Sequence, residues 1–228
     1  MNEQLIPFLD KAKECYELKE LERLGLTPDM DQREMILSYL SLILKWNPVS
    51  SIVSSNDEKN LFLRHFCDSI QPLLLFGFKK HASVLDIGAG GGFPSIPIRV
   101  FRPDLTFVLV ESTRKKASFL REVRTELNIE NMKIINSRIE NVAEPEDEEK
   151  FDYVISRGTT SLKEIAHMAK PYVSSDGRIY TFKTKRFEDE LNEIIMNKEK
   201  DGIGISEIAE YDLGNQIHGL NLVSLELI

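Results

Sequence analysis

A glycine-rich segment near the middle of the chain has the composition of a ligand-binding loop. It reads Asp86-Ile-Gly88-Ala-Gly90-Gly-Gly92-Phe93 and follows a short apolar run. Glycine has no Cβ, so it permits a tight turn and lets a ligand approach the backbone closely. Dinucleotide-binding loops have the spacing G-x-G-x-x-G, and here Phe93 stands where the last glycine is needed, so NAD is disfavoured as a ligand. The segment indicates a loop for another small ligand, with a purely structural turn as the alternative.

Two charged residues, Glu111 and Arg157, each stand directly after another strand-like apolar segment. The carboxylate of Glu111 can accept hydrogen bonds from both hydroxyls of a ribose. The alternative for Glu111 is an exposed acid at the start of a helix, where the helix dipole favours negative charge. The guanidinium of Arg157 can bind a carboxylate or a phosphate through two hydrogen bonds. The alternative for Arg157 is a salt bridge to a nearby acid such as Asp152.

The elements that position these residues are strands alternating with helices. Short apolar runs predict the strands, and amphipathic segments of helical period separate several of them. Such alternation is typical of βαβ units and a mostly parallel sheet, whose strands all end at one edge. Ligands of open α/β sheets bind at that edge. The predicted strands are residues 83–87, 106–110, 132–135, 151–155 and 178–182, with two weaker candidates at 203–208 and 220–227.

The first part of the chain differs in texture and is predicted to be helical. We expect residues 1–60 to form a helical segment packed on an α/β domain of residues 61–228. Thr27 and Pro28 are predicted to begin a helix, as its N-cap and first residue. No basic, apolar signal peptide is recognisable at the N-terminus, and no apolar run is long enough to span a bilayer. We therefore expect a cytoplasmic protein without membrane partners.

Charge is distributed unevenly along the chain. The 228 residues have a formal net charge of −8, which taken alone argues against binding a polyanion. Residues 64–138 and 151–186 nevertheless have net charges of +5 and +4, and the remaining segments are acidic. Both basic segments contain candidate site residues. The acidic total therefore does not exclude a basic face that binds nucleic acid.

The cysteines and histidines lack the spacing of metal sites. Cys15 and Cys67 form no C-x-x-C pair, and the four histidines are scattered, so we expect neither a disulfide scaffold nor a metal. Cys67 falls in an apolar helical segment and is expected to be a packed thiol.

Five separated segments together resemble one known family. They recur in the same order in the bacterial 16S rRNA guanine-N7 methyltransferase family, also called glucose-inhibited division protein B. The resemblance implies a Rossmann-like class I S-adenosylmethionine-dependent methyltransferase fold with a helical N-terminal extension. It also implies S-adenosylmethionine as methyl donor, N7 of a guanine as acceptor, and 16S rRNA or the small ribosomal subunit as partner. The segments are RHFCDS at 64–69, LDIGAGGGFPSIPI at 85–98, LVESTRKKASFLREV at 109–123, SRIE at 137–140 and FDYVISR at 151–157.

The same resemblance assigns cofactor contacts to residues of these segments. Backbone groups of Ile139 and Glu140 are expected to hold the adenine edge, with Arg157 near the methionine end. The resemblance also assigns contacts to Gly88 and Phe93, and the spacing of the loop and strands adds Gly90 and Glu111. The predicted cofactor contacts are therefore Gly88, Gly90, Phe93, Glu111, Ile139, Glu140 and Arg157.

The chemistry implied by the resemblance agrees with the absence of a recognisable catalytic base and of an amino-methylation motif in the sequence. Guanine N7 already has an in-plane lone pair, so methyl transfer requires positioning and no proton removal before attack. We therefore expect no catalytic base. No D/N-P-P-Y/F/W segment, typical of amino-group methylation, follows the fourth strand.

Basic residues around the expected cofactor site are predicted to bind RNA phosphates. They are Arg64, His65, Lys183, Lys185 and Arg186. Three alternatives stay open on the sequence alone: a methyltransferase for another RNA, a protein or a small molecule; a non-catalytic module that binds cofactor and RNA; and an NAD-type oxidoreductase. We expect a monomer.

Overall fold

The computed structural model describes residues 16–54, 57–158, 160–184, 187–214 and 217–228. Two helices come first, α1 (Tyr16–Arg23) and α2 (Met30–Ser50). The N-cap of α2 is Asp29, so the predicted start at Thr27 and Pro28 is wrong. Asp29 prevails because Gln32 completes a capping box: the Asp29 carboxylate accepts from the Gln32 amide, and the Gln32 side chain accepts from the Asp29 amide.

Short helical turns lead from α2 into the sheet. A 3₁₀ turn at Glu58–Asn60 is followed by a π-helical turn at Leu61–Cys67 and by α3 (Gln71–Leu75). Cys67 is fully buried in this segment, as expected of a packed thiol. The later helices are α4 (Ser95–Phe101), α5 (Arg114–Glu126), α6 (Leu162–Ala169) and α7 (Glu188–Asp201).

The strands are β1 (Ser83–Ile87), β2 (Thr106–Val110), β3 (Met132–Ile135), β4 (Phe151–Ser156), β5 (Val173–Lys183), β6 (Ile203–Leu213) and β7 (Ile217–Leu227). Within the described residues they form one seven-stranded sheet in the order β3-β2-β1-β4-β5-β7-β6. The first five strands are parallel to one another, whereas β7 is antiparallel to both β5 and β6. The prediction of a mostly parallel sheet, in which the parallel strands end at the same edge, is confirmed.

Apolar side chains fill both faces of the sheet. On one face, Ile36 and Ile43 of α2 share a core with Phe107 of β2 and Phe119 of α5. On the other face, α6 and α7 pack against β4 and β5. The helical N-terminal segment thus shares its core with the sheet, while the boundary after residue 60 stays a prediction. No helix in the described ranges is long and apolar enough to cross a membrane.

Candidate functional site

Four strand ends bring the predicted cofactor residues to one edge of the sheet. Gly88 follows β1 and donates its backbone N–H to the Val110 carbonyl at the end of β2, at 2.9 Å. Glu111 follows β2 and donates its N–H to the Ile135 carbonyl at the end of β3, at 3.0 Å. Arg157 follows β4 directly. The sheet therefore places Gly88, Glu111 and Arg157 side by side, as its parallel topology requires.

The glycine loop combines one open position with one packed position. Gly88, Gly90 and Gly92 have φ values of 75°, 56° and 88°, which disfavour residues with a Cβ. A Cβ on Gly92 would lie 2.6 Å from the Ile96 side chain, so Gly92 is needed for packing. A Cβ on Gly90 would meet only the Gly88 carbonyl, at 3.8 Å. The backbone at Gly90 therefore faces space that a ligand can enter.

Helix α2 supports this loop from behind. The Tyr39 hydroxyl donates to the Gly91 carbonyl at 2.6 Å, and the Tyr39 ring lies 5.4 Å from the ring of Phe93. Burial raises the pKa of Tyr39 well above its ordinary value, so the phenol stays protonated and keeps donating. The N-terminal segment thus fixes the loop conformation.

Glu111 is buried and bound to the loop. Only 6% of it is exposed, so the alternative of an exposed acid at a helix start is wrong. One carboxylate oxygen accepts from the Gly90 N–H at 2.8 Å, and the other accepts from the Thr113 N–H at 2.6 Å. Each carboxylate oxygen has a further lone pair for a ligand hydroxyl. The ribose contact of Glu111 stays a prediction.

Asp86 lies beneath the loop in a dry environment. It is fully buried, and burial raises its pKa to about 7 despite a hydrogen bond from the Ser95 hydroxyl; the nearby Glu111 charge raises it further. The second oxygen of Asp86 has no hydrogen-bond partner among the described residues. Asp86 therefore gains a proton close to neutral pH.

Beyond β3, the two predicted adenine contacts lie in a 3₁₀ turn, Ile139–Asn141. The Ile139 side chain is buried, whereas Glu140 is exposed. The hydroxyl of Tyr172 donates to the carbonyls of Ile139 and Val142 at 2.9 and 2.8 Å and so fixes the turn. The adenine contact itself stays a prediction.

Arg157 is held by three polar partners. Its Nε donates to Asp68 at 2.6 Å, and one Nη donates to the Arg64 carbonyl at 2.8 Å. The other Nη lies 3.2 Å from Nδ1 of His65. The acid that pairs with Arg157 is therefore Asp68, while Asp152 accepts hydrogen bonds from the backbone and side chain of residue 83.

Aromatic rings flank the same guanidinium. Its carbon lies 5.8 Å from the ring centre of Phe93 in the glycine loop and 5.9 Å from that of Phe182 in β5. Both distances suit cation–π contacts. On the far side, Asp68 accepts a hydrogen bond from the Tyr211 hydroxyl of β6 at 2.6 Å. Arg157 thus has a fixed orientation at the border between the loop and the later strands.

A cavity of about 580 Å³ opens beside Arg157, and we call it the edge cavity. Asp57, Arg64 and His65 line it from the helical turns. Phe182 and Lys183 line it from β5, and Tyr211, His218 and Leu220 from β6 and β7. The edge cavity is therefore built from elements on both sides of β4 in sequence.

The predicted RNA-binding residues fall into different environments around the edge cavity. The Arg64 side chain is 55% exposed, with its Nε 3.4 Å from Asp57. Burial, together with the Arg157 charge, lowers the pKa of His65 to about 4, so His65 is neutral at neutral pH. Lys183 is 11% exposed, pairs with Glu190 at 2.8 Å and donates to the Thr160 carbonyl at 2.7 Å. Lys185 and Arg186 lie outside the described residues, and RNA binding by all five stays a prediction.

Sequence reasoning missed several residues of this site. Asp68 belongs to the RHFCDS segment and could have been proposed as a partner for Arg157. Tyr39, Phe182 and Tyr211 have no sequence signal, because each reaches the site from an element far along the chain. Within the described ranges, no group of three or more His, Cys, Asp or Glu side chains is arranged to hold a metal ion.

Known proteins resemble this chain in sequence and in structure. Residues 32–213 match the family described as rRNA small subunit methyltransferase G. A ribosomal RNA small subunit methyltransferase G from Staphylococcus haemolyticus (strain JCSC1435) is 32% identical over 175 residues, which cover 77% of this chain and 73% of that protein. A protein of the same name from Staphylococcus aureus (strain bovine RF122 / ET3-1) is 31% identical over 182 residues, 80% of this chain and 76% of that protein.

Among solved structures, M. jannaschii TYW2 in complex with AdoMet superposes with a TM-score of 0.51. The two chains are 18% identical, and the match covers 66% of this chain and 71% of that one. A likeness at this identity shows the fold. The prediction of a Rossmann-like class I methyltransferase fold is confirmed.

Proposed function

The chain belongs to the rRNA small subunit methyltransferase G family, and from this premise we propose that it methylates N7 of one guanine in 16S rRNA. Family membership identifies an S-adenosylmethionine-dependent methyltransferase of small-subunit rRNA. The alternatives of an NAD-type oxidoreductase and of a non-catalytic binding module do not fit a family of methyltransferases. The acceptor atom and the residues that bind each ligand are what the proposal adds.

The residues at the sheet edge fit S-adenosylmethionine. The open backbone face of Gly90 admits a ligand, and the buried carboxylate of Glu111 has lone pairs for the ribose hydroxyls. The fixed guanidinium of Arg157 offers a positive charge for the methionine carboxylate. When bound, S-adenosylmethionine supplies an electrophilic methyl group on a positively charged sulfur.

The observation that best supports a base as acceptor is the edge cavity at the border of the glycine loop. Its volume of about 580 Å³ accommodates a nucleobase, and Phe182, His65 and Tyr211 provide flat side chains along its wall. A base inside folded rRNA must leave its stack to be read in such a cavity. Arg157 touches both the loop residue Phe93 and this cavity, so the two ligand sites adjoin.

N7 suits this site because its alkylation requires no base. Transfer would join the N7 lone pair to the methyl carbon and leave the electrons of the broken carbon–sulfur bond on sulfur, and no proton would leave the guanine. His65 fits a role in shaping the site, since its Nδ1 faces Arg157. Holding N7 in line with the methyl group is then the main task of the protein.

RNA phosphates would be bound around the cavity mouth. Arg64 is exposed there, and Arg114 and Lys115 are exposed at the start of α5, close to the same sheet edge. Lys183, tied to Glu190, would contribute to the cavity wall and its potential. We place the activity in the cytoplasm, where ribosomal RNA is, and in a monomer.

The direct test is to incubate the protein with small-subunit rRNA lacking the modification and with labelled S-adenosylmethionine. Chemical cleavage at N7-methylguanine then maps the labelled position. We expect label at one guanine N7 and none in reactions without rRNA. Label at another atom, or on a protein or small molecule in the absence of rRNA, would overturn the proposal.

A further inference from the structure

The edge cavity is lined by two carboxylates, Asp68 and Asp57, that differ in their remaining capacity to accept hydrogen bonds. Asp68 is 8% exposed, and its two oxygens accept from Arg157 and from Tyr211. Asp57 is 23% exposed, and among the described residues its carboxylate accepts one hydrogen bond, from the Ser54 hydroxyl at 2.7 Å. Its other contacts are longer, 3.4 Å to Arg64 and 3.9 Å to His65. Asp57 therefore keeps lone pairs that face the cavity.

Arg157 likewise keeps hydrogen-bond donors. A guanidinium has five N–H groups. Three of them point to Asp68, to the Arg64 carbonyl and to His65, which leaves one on each Nη in the described structure. The rings of Phe93 and Phe182 flank the guanidinium, with centroids 5.8 and 5.9 Å from its carbon, and restrict its rotation. The edge cavity is thus lined by remaining donors on Arg157 and remaining acceptors on Asp57.

The imidazole of His65 lies between Arg157 and Asp57. Its Nδ1 lies 3.2 Å from Arg157, and its Nε2 lies 3.9 Å from Asp57. His65 therefore bridges the two groups, and a base that binds both of them would lie beside the imidazole in the edge cavity. His65 Nε2 is buried and has no hydrogen-bond partner among the described residues.

Guanine presents the complementary pattern. Its O6 accepts, and its N1–H and 2-amino group donate, whereas adenine has a donor at position 6 and an acceptor at N1. We propose that Asp57 selects guanine by accepting from N1–H and the 2-amino group, while Arg157 donates to O6. Because O6 and N7 share one edge of guanine, this orientation turns N7 toward Arg157 and the glycine loop beyond it.

Electrostatics support the acceptor role. The hydrogen bond from Ser54 lowers the pKa of Asp57, as do the charges of Arg64 and Arg157, so the carboxylate is ionised and acts as an acceptor at neutral pH. A site that hydrogen-bonds one base discriminates against a base that lacks the matching group, because the groups of the site are then left unpaired. Adenine would place its N1 acceptor against this negative charge. This inference rests on the proposed function and specifies its base-reading residue.

The test compares the target guanine with inosine, which has N7, O6 and N1–H but no 2-amino group. A small-subunit rRNA fragment is prepared with either base at the methylated position, and single-turnover methylation is measured. For the wild type we expect guanine to react about 10-fold faster or more, the value of a hydrogen bond to a charged group. In Asp57→Ala that ratio should fall to about one, and in Asp57→Asn to an intermediate value.

The matched control is Asp176→Asn, which makes the same charge change at an exposed position in the first half of β5. It should keep the wild-type ratio. A wild-type ratio in folded Asp57→Ala would overturn the inference. Should both Asp57 variants fail to fold, the wild type alone decides, since equal rates on guanine and inosine would also overturn it. In either case, guanine N7 methylation by the wild type would leave the proposed function intact, whereas its absence would overturn both.

Discussion

The glycine loop and the edge cavity lie on either side of Arg157 and are built in opposite ways. The glycine loop is contiguous in sequence, and its partner Glu111 lies at the end of the next strand. The edge cavity is assembled from the turns before β1 and from β5, β6 and β7. Its hydrogen bond from Tyr211 to Asp68 joins residues 143 positions apart. The glycine loop is thus encoded locally, whereas the edge cavity depends on the completed sheet.

If the two regions have separate roles, changes in the glycine loop should weaken cofactor binding. Changes in the edge cavity should instead slow methyl transfer at saturating cofactor. Arg157 contacts both regions, so its replacement should give the largest effect. Arg157→Lys removes the planar donor set that binds Asp68 and the Arg64 carbonyl and, on the proposed function, would also bind a ligand. We expect about a 100-fold or greater loss of single-turnover methylation, together with weaker S-adenosylhomocysteine binding by calorimetry.

Arg178→Lys is the matched control for this change, because Arg178 pairs with Glu226 on a part-exposed surface away from the site. It should leave both measurements near the wild-type values. If Arg157→Lys affected only one of the two measurements, Arg157 would belong to one region and not to the border.

The next effect is expected in the loop alone. Gly90→Ala places a Cβ in the open space before the loop, at a φ of 56°. We expect about a 10-fold weaker affinity for S-adenosylmethionine, with the rate at saturating cofactor little changed. Gly25→Ala imposes a similar backbone strain at a φ of 79°, with nothing within 4 Å. Comparable melting temperatures for both variants, with weakened binding only in Gly90→Ala, would separate ligand contact from strain of about 1–2 kcal/mol.

Replacing either of two tyrosines should have a smaller effect, on the methylation rate in one case and on cofactor affinity in the other. Tyr211→Phe removes the hydrogen bond that orients Asp68 on the cavity side, and Tyr172→Phe removes those that fix the turn at Ile139 on the cofactor side. A hydrogen bond to a neutral carbonyl, as for Tyr172, is worth about 1 kcal/mol or roughly 5-fold, and one to a carboxylate, as for Tyr211, about 1.5 kcal/mol or roughly 10-fold. Tyr211→Phe should slow methylation at saturating cofactor, and Tyr172→Phe should instead weaken cofactor binding. An equal loss of both quantities in both variants would contradict the division into two regions.

The same division explains how much the sequence could predict. Short apolar runs mark β1, β2 and β3, whose bounds match the prediction, and parallel topology then places Gly88 and Glu111 together. β6 and β7 are each 11 residues long but were predicted as shorter segments, because exposed polar residues interrupt their apolar pattern. The sequence offers a local acid, Asp152, as the partner of Arg157, whereas Asp68 reaches Arg157 only through tertiary folding.

The smallest net effect concerns pH, because one group in each region opposes the other. Asp86 under the loop has a folded-state pKa of about 7, raised from 3.8 by burial. The native state therefore binds more protons than the unfolded state between about pH 4 and 7, and stability falls as pH rises through this window. His65 in the cavity has a folded-state pKa of about 4, lowered from 6.5 by burial. There the unfolded state binds more protons, so stability rises with pH between about 4 and 6.5.

Since the two contributions have opposite signs, the wild type should show little change in melting temperature between pH 4.5 and 6.5 from this pair. Asp86→Asn leaves the His65 contribution, and its melting temperature should rise across that window. His65→Gln leaves the Asp86 contribution, and its melting temperature should fall. In each variant, the change in melting temperature between pH 4.5 and 6.5 should correspond to a change on the order of 2 kcal/mol in the free energy of unfolding. Slopes of the same sign in both variants would mean that Asp86 and His65 do not titrate against each other, and that the two regions are not electrostatically distinct.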